Sequence, residues 1–188
     1  YHFYNPGMNG EAAEYAKIER SLSCALQNNE LILYFQPEMN IETRAVVGVE
    51  SLIRWNHPGK GIIYPGDFLG IAEKTGIIGQ INEWVLRKVI GYILDWQRMN
   101  IPPVRVSFNI SGHVLLEKGP LEKIINILKK REIPLDFLEI EIGENYLSNQ
   151  PCDVVKGIKE INDLGLRFSI NDFGSEYCSI KYLQDLPV

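Results

Sequence analysis

The chain has 188 residues, 45% of them hydrophobic and 23% charged, with a net charge of −5, which is the length and composition of one ordinary globular domain able to bury a core. The negative charge argues against a nucleic-acid polymer as partner, since that calls for a basic face, and no run approaches the ~20 uncharged apolar residues of a membrane helix. Cys24, Cys152 and Cys178 are scattered and odd in number, with neither zinc spacing nor a disulfide framework, so a reducing cytoplasm is the expected setting.

Helical spacing opens the pattern over Gly10 to Gln27, with Ala13, Ile18, Leu22 and Leu26 on one side. Ile32 to Gln36 reads as a strand that Pro37 ends, and Ala45 to Val49 as a second apolar run that stops at Glu50. A loop rich in Gly and Pro covers His57 to Gly66, before a short helix around Phe68 to Lys74. Ile81, Trp84, Val85, Val89, Ile93 and Trp96 mark a long amphipathic helix. Val104 to Phe108 is β-like and stops at Asn109, and Pro120 suits the first turn of a helix with Leu121, Ile124, Ile125 and Leu128 on its apolar face. Phe137 to Ile142 is β-like and carries Glu141. Pro151 starts a helix through Val154, Ile158 and Ile161 that closes at Gly165, and Arg167 to Ile170 is a strand ending at Asn171-Asp172. Apart from the extra first strand, strands and helices alternate, which predicts a parallel α/β sheet, either a barrel or a doubly wound fold. No glycine fingerprint of a dinucleotide fold follows any strand.

The polar residues are placed systematically. Glu50, Asn109, Glu141 and the pair Asn171-Asp172 each fall at or near the end of a separate β-like run. In a (β/α)8 barrel those ends converge on the face where active sites are built. Carboxylates and amides gathered there suit a hard cation such as Mg2+ or Mn2+, which polarises phosphoryl oxygens and activates water. Taken singly, each residue reads as a solvated strand end; His57 and His113 read as loop and surface histidines, and Trp55, Trp84 and Trp96 as packing residues.

Specific motifs narrow this. Tyr34-Phe35-Gln36-Pro37, the stretch Val49 to Pro58 with Glu50-Ser51-Leu52 and Arg54, Pro65 to Phe68, Ala72 to Gly76, Phe108-Asn109-Ile110-Ser111, Glu139 to Ile142 and Asp172-Phe173-Gly174 resemble, in order and spacing, the motifs of EAL domains. Phe3 to Asn9 resembles the segment joining a GGDEF domain to an EAL domain. The resemblance implies a TIM-like barrel of which about five strands are present, with residues 1–10 as a linker from an upstream GGDEF domain and 11–188 as the N-terminal part of an EAL domain. It also implies cyclic-di-GMP as ligand, two Mg2+ or Mn2+ ions in active members, linear pGpG as product, and an EAL homodimer as an assembly. By the family's pattern Glu50, Asn109, Glu141, Asn171 and Asp172 would hold metal, with Glu50 and Asp172 catalytic. Gln36, Glu50, Leu52, Arg54 and Asn109 would contact the nucleotide, Arg54 through a phosphate.

Departures from that pattern lean toward an impaired member. Asn171 stands where the family has the first of two adjacent aspartates, Gly143 where it has Thr, and Ser175-Glu176 where it has Thr-Gly; Ser51 for Ala is mild. The family's later Lys-bearing strand is not in the sequence, and both ends read as cuts in something longer. The expectation is a binding and regulatory module for cyclic-di-GMP. The alternatives are a slow metal-dependent phosphodiesterase and a structural dimerisation or docking unit.

Overall fold

The computed structural model describes residues 18–130, 133–144, 146, 151–174 and 186. The start of the first expected helix, the Phe3 to Asn9 segment and the Ser175-Glu176 loop lie outside them. The chain divides into two units, one of residues up to Ile32 together with Ile53–Ile78, the other of Leu33–Leu52 together with the residues from Gly79 onward. Two strands, β1 (Leu31–Met39) and β2 (Val46–His57), each contribute to both.

In the first unit the described part of helix α1 (18–25) buries Leu22 and Ala25. The end of β2 pairs antiparallel with β3 (Gly61–Ile63), Trp55 opposite Ile63 and His57 opposite Gly61. The expected loop from His57 to Gly66 is therefore partly a hairpin, whose turn Gly61 allows by taking φ +73°. Pro65 opens α2 (Pro65–Lys74), where its missing N–H costs nothing, and the helix buries Phe68, Ile71 and Ala72. Trp55 is fully buried, edge-on to Phe68 at 5.9 Å. Its indole N–H donates to Glu30 Oε2 at 3.0 Å, which satisfies a donor that burial would otherwise strand. That bond, with a second from Asn28, holds the Glu30 carboxyl below its ordinary range.

In the second unit the strands run in the order β1-β2-β4-β5-β6, with β4 (Arg105–Asn109), β5 (Leu138–Gly143) and β6 (Arg167–Asn171). Pairings from β2 through β6 are parallel, as the alternation of elements predicts. The amphipathic helix α3 (Ile78–Arg98) buries Ile81, Val85, Val89 and Ile93, the expected face, and its Trp96 meets Phe35 of β1 edge-on. Two helices, α4 (Gly112–Leu116) and α5 (Lys118–Lys129), lie between β4 and β5, where the sequence reading has only the second. Helix α6 (Pro151–Asn162) packs against α4 so closely that a Cβ on Gly157 would sit 3.0 Å from the Leu115 carbonyl.

Two strand boundaries differ from expectation. Pro37 does not end β1, which continues to Met39. The strand lies at the end of the order, so the N–H that proline lacks is not required by a further neighbour. Glu50 does not end β2 either: Ser51, Ile53 and Trp55 bury in strict alternation and carry the strand to His57. A carboxylate in mid-strand is tolerated because polar residues of β4 adjoin it, Ser107 opposite in register and Asn109 donating to it.

Candidate functional site

Alternation along the strands puts Gly48, Glu50 and Leu52 of β2, Arg105, Ser107 and Asn109 of β4, Glu139 and Glu141 of β5, and Ser169 and Asn171 of β6 on one side of the sheet. The other side carries Val106, Phe108, Leu138, Ile140, Ile142 and Phe168, all buried. Register sets the polar side chains level: Glu50 opposite Ser107, Asn109 opposite Glu141, Glu141 opposite Ser169 and Gly143 opposite Asn171. Four neighbouring strands thus deliver the expected carboxylates and amides to one surface.

Three of them are joined in a relay. The backbone N–H of Asp172 donates to Asn171 Oδ1 at 2.9 Å, Asn171 Nδ2 donates to Asn109 Oδ1 at 3.2 Å, and Asn109 Nδ2 donates to Glu50 Oε1 at 2.8 Å. Its direction is fixed from the Asp172 end, because a backbone N–H only donates, which leaves Asn171 Nδ2 to donate to Asn109 and Asn109 Nδ2 to donate to Glu50. Both amides are therefore oriented without ambiguity. An aspartate at position 171 could not donate to Asn109, so the relay depends on the amide of Asn171. Asp172 itself takes φ +55°, and among the described residues its exposed carboxylate makes no hydrogen bond or ion pair.

Glu141 is the electrostatic centre. Burial, and then the negative charges of Glu50, Glu38 and Glu139, push its carboxyl up to about 7. Ser107 opposes this, although its buried hydroxyl makes no hydrogen bond of ordinary geometry. A buried carboxyl raised in this way by burial and by neighbouring negative charge is what a hard cation beside it would relieve. No group of three acidic, histidine or cysteine side chains that could hold a metal occurs among the described residues. On this side of the sheet the described residues offer a cation the carboxylates of Glu50 and Glu141 and the amide oxygens of Asn109 and Asn171. Each of those amide oxygens already accepts one hydrogen bond within the relay.

Toward the other end of the same side, Arg105 Nη2 donates to Glu38 Oε2 at 2.9 Å, and its Nε lies 3.1 Å from Glu139 Oε2 without hydrogen-bond alignment. Gly48 stands opposite Arg105, and a Cβ there would come within 2.7 Å of Glu38 Oε2. The glycine thus gives the β1 carboxylate its path to a β4 guanidinium. Replacing Arg105 by Met is expected to cost about 1–2 kcal/mol in urea unfolding, because two carboxylates lose their shared cation, and less than a fully buried pair because all three side chains remain partly wet. A loss below about 0.3 kcal/mol would refute this.

The loops that follow the strands are tied together. Ser111 Oγ shares hydrogen bonds with Tyr146 Oη at 3.1 Å and His113 Nδ1 at 3.3 Å, and the His113 and Tyr146 rings meet edge-on at 5.6 Å. Glu144 is 2% exposed, and its Oε2 accepts the Gly174 N–H at 2.7 Å, binding the turn after β6 to the end of β5. The sequence reading singles out neither Tyr146 nor Glu144, and His113, read there as a surface histidine, is indeed exposed; only the spacing of Glu144, three residues after Glu141, hints at a second carboxylate on the same loop. Of the other expected contacts, Gln36 is exposed on β1 and Leu52 half-buried on β2. Arg54 belongs to the first unit, where Nη1 donates to the Ile53 carbonyl at 2.8 Å and the guanidinium lies over the Tyr64 ring. Among the described residues no helix is long and apolar enough to cross a membrane.

The family model of the EAL domain matches residues 19–188. A cyclic di-GMP phosphodiesterase of Pseudomonas aeruginosa is 32% identical over 186 residues, covering 98% of this chain and 32% of the relative. The bifunctional diguanylate cyclase/cyclic di-GMP phosphodiesterase MucR of the same organism is 32% identical over 187 residues, covering 100% of this chain and 27% of its own length. Among solved structures, the MucR phosphodiesterase in complex with c-di-GMP superposes with a TM-score of 0.85 at 31% identity, covering 92% of this chain and 70% of that one. The chain thus spans about a quarter to a third of the length of these curated relatives.

Proposed function

The chain belongs to the EAL domain family, and on that premise we propose that it is part of a cyclic-di-GMP binding and regulatory module whose phosphodiesterase chemistry is impaired. The observation that carries this reading is the relay from Asp172 through Asn171 and Asn109 to Glu50. It satisfies with internal hydrogen bonds the groups that two cations would otherwise organise. Glu50, Asn109, Glu141, Asn171 and Asp172 would hold a Mg2+ or Mn2+ ion, the two amides through oxygens that each already accept one hydrogen bond in the relay. Bound there, such an ion would polarise a phosphoryl oxygen and lower the pKa of a water. Gln36, Leu52 and Arg54 would contact the nucleotide, with the planar fork of Arg54 suited to a phosphate. This chain covers 70% and 51% of two such solved chains, in keeping with reading residues 11–188 as part of an EAL domain, which we take as its N-terminal part on the order of the motifs. We assign residues 1–10 as the link from an upstream GGDEF domain on the motif at Phe3 to Asn9.

The test uses the full-length protein with cyclic-di-GMP, by calorimetry and by chromatography for pGpG, with and without Mn2+. Binding that persists without metal, and turnover at least about ten-fold below that of the Asn171→Asp variant, is expected. Ten-fold corresponds to about 1.4 kcal/mol of transition-state stabilisation, the scale of one charge-assisted contact. Rapid turnover by the wild type that Asn171→Asp does not raise would establish the alternative, a working phosphodiesterase. No binding in either condition would leave the docking role.

A further inference from the structure

Tyr64 stands between β3 and α2 as the residue that caps the helix, in extended backbone. Its ring is 60% exposed, whereas the other aromatic rings at this point of the first unit, Trp55 and Phe68, are fully buried. The guanidinium carbon of Arg54 lies 5.0 Å from the ring centroid, and the same guanidinium donates to the Ile53 carbonyl. An aromatic face under the cation and a carbonyl at its edge hold a long, entropically costly side chain in one orientation before any ligand arrives. At that exposure the ring also has surface left over after Arg54 is seated. A cation that accepts phosphate, set against an aromatic surface open to solvent, presents a nucleotide with a charge partner and a stacking surface at once.

We infer that Tyr64 is a specificity-determining residue of the nucleotide site, orienting Arg54 for a phosphate and stacking the purine base of the same ligand. This rests on the reading of the chain as a cyclic-di-GMP binder. The ring is exposed, so its replacement does not open a core. Full-length wild type and the Tyr64→Phe, Tyr64→Ala and Tyr64→Trp variants are titrated with cyclic-di-GMP by calorimetry. Emission is followed in parallel and corrected with the wild-type titration.

Tyr64→Phe is expected to bind within about two-fold of wild type and Tyr64→Ala about ten-fold more weakly, as loss of a ring that both orients a cation and stacks a base requires. The new indole of Tyr64→Trp is expected to be quenched at saturation. Tyr64→Ala binding within about two-fold of wild type overturns the inference. Weakened Tyr64→Ala with no quenching in Tyr64→Trp overturns the stacking half and leaves Tyr64 as a positioning residue for Arg54. A wild type that binds no cyclic-di-GMP at all defeats the functional reading itself, an outcome distinct from both.

Discussion

Gly112→Ala is expected to destabilise the protein by about 2–3 kcal/mol, the upper range for overpacking a filled site, although alanine is the better helix former by about 1 kcal/mol. Gly112 opens α4, and a Cβ on it would overlap Cβ, Cγ and Cδ1 of Tyr146. The Tyr146 ring has no cheap retreat, since its hydroxyl is bonded to Ser111 and its edge meets His113. Adding Tyr146→Ala should remove the penalty, so that Gly112→Ala becomes neutral or slightly stabilising in that background; contacting residues show this non-additivity. Chemical unfolding of the two single variants and the double variant measures it. Equal stability of Gly112→Ala and wild type would show that the ring moves freely. The consequence extends to the site, because Ser111 follows Asn109 by two residues and Tyr146 follows Glu144, the carboxylate that holds the turn at Gly174.

Raising the pH from about 4.5 to 8 is expected to cost the metal-free protein roughly 1–2 kcal/mol through Glu141 alone, after allowing for solvent screening of a half-buried group. The carboxyl titrates at about 7 in the fold against an ordinary 4.5, so between those values the native state holds more protons than the unfolded chain. Its stabilising contribution is complete below about pH 4.5 and is lost as pH rises through 7. Glu141→Gln should flatten this part of the profile and be the more stable protein at pH 8. Mn2+ should stabilise wild type by mass action, most strongly above pH 7 and with release of a proton from Glu141 below it, and should do little for Glu141→Gln. Parallel melting profiles of the two proteins from pH 5 to 8 would show that Glu141 is not the group responsible.

The sequence alone identified the elements wherever periodicity was strong, as in α3, α5, β4, β5 and β6. It also located Glu50, Asn109, Glu141 and Asn171-Asp172 as the set worth examining, because polar residues interrupting apolar runs are visible without coordinates. It misjudged Pro37 and Glu50 as strand ends. Both are tolerated for reasons of neighbourhood, an edge position in one case and polar residues of β4 in the other, and neither is written in local propensity. The tertiary structure decided which atoms meet. That Asn171 donates where an aspartate could only accept, that Gly48 opens a path from Glu38 to Arg105, that Gly112 yields its space to Tyr146, and that Tyr64 lies under Arg54 are facts of cross-strand register and loop packing. Hydrogen bonds and overlaps act over a few ångströms, between residues as far apart in the chain as Glu38 and Arg105, and such pairings leave no trace in periodicity or composition.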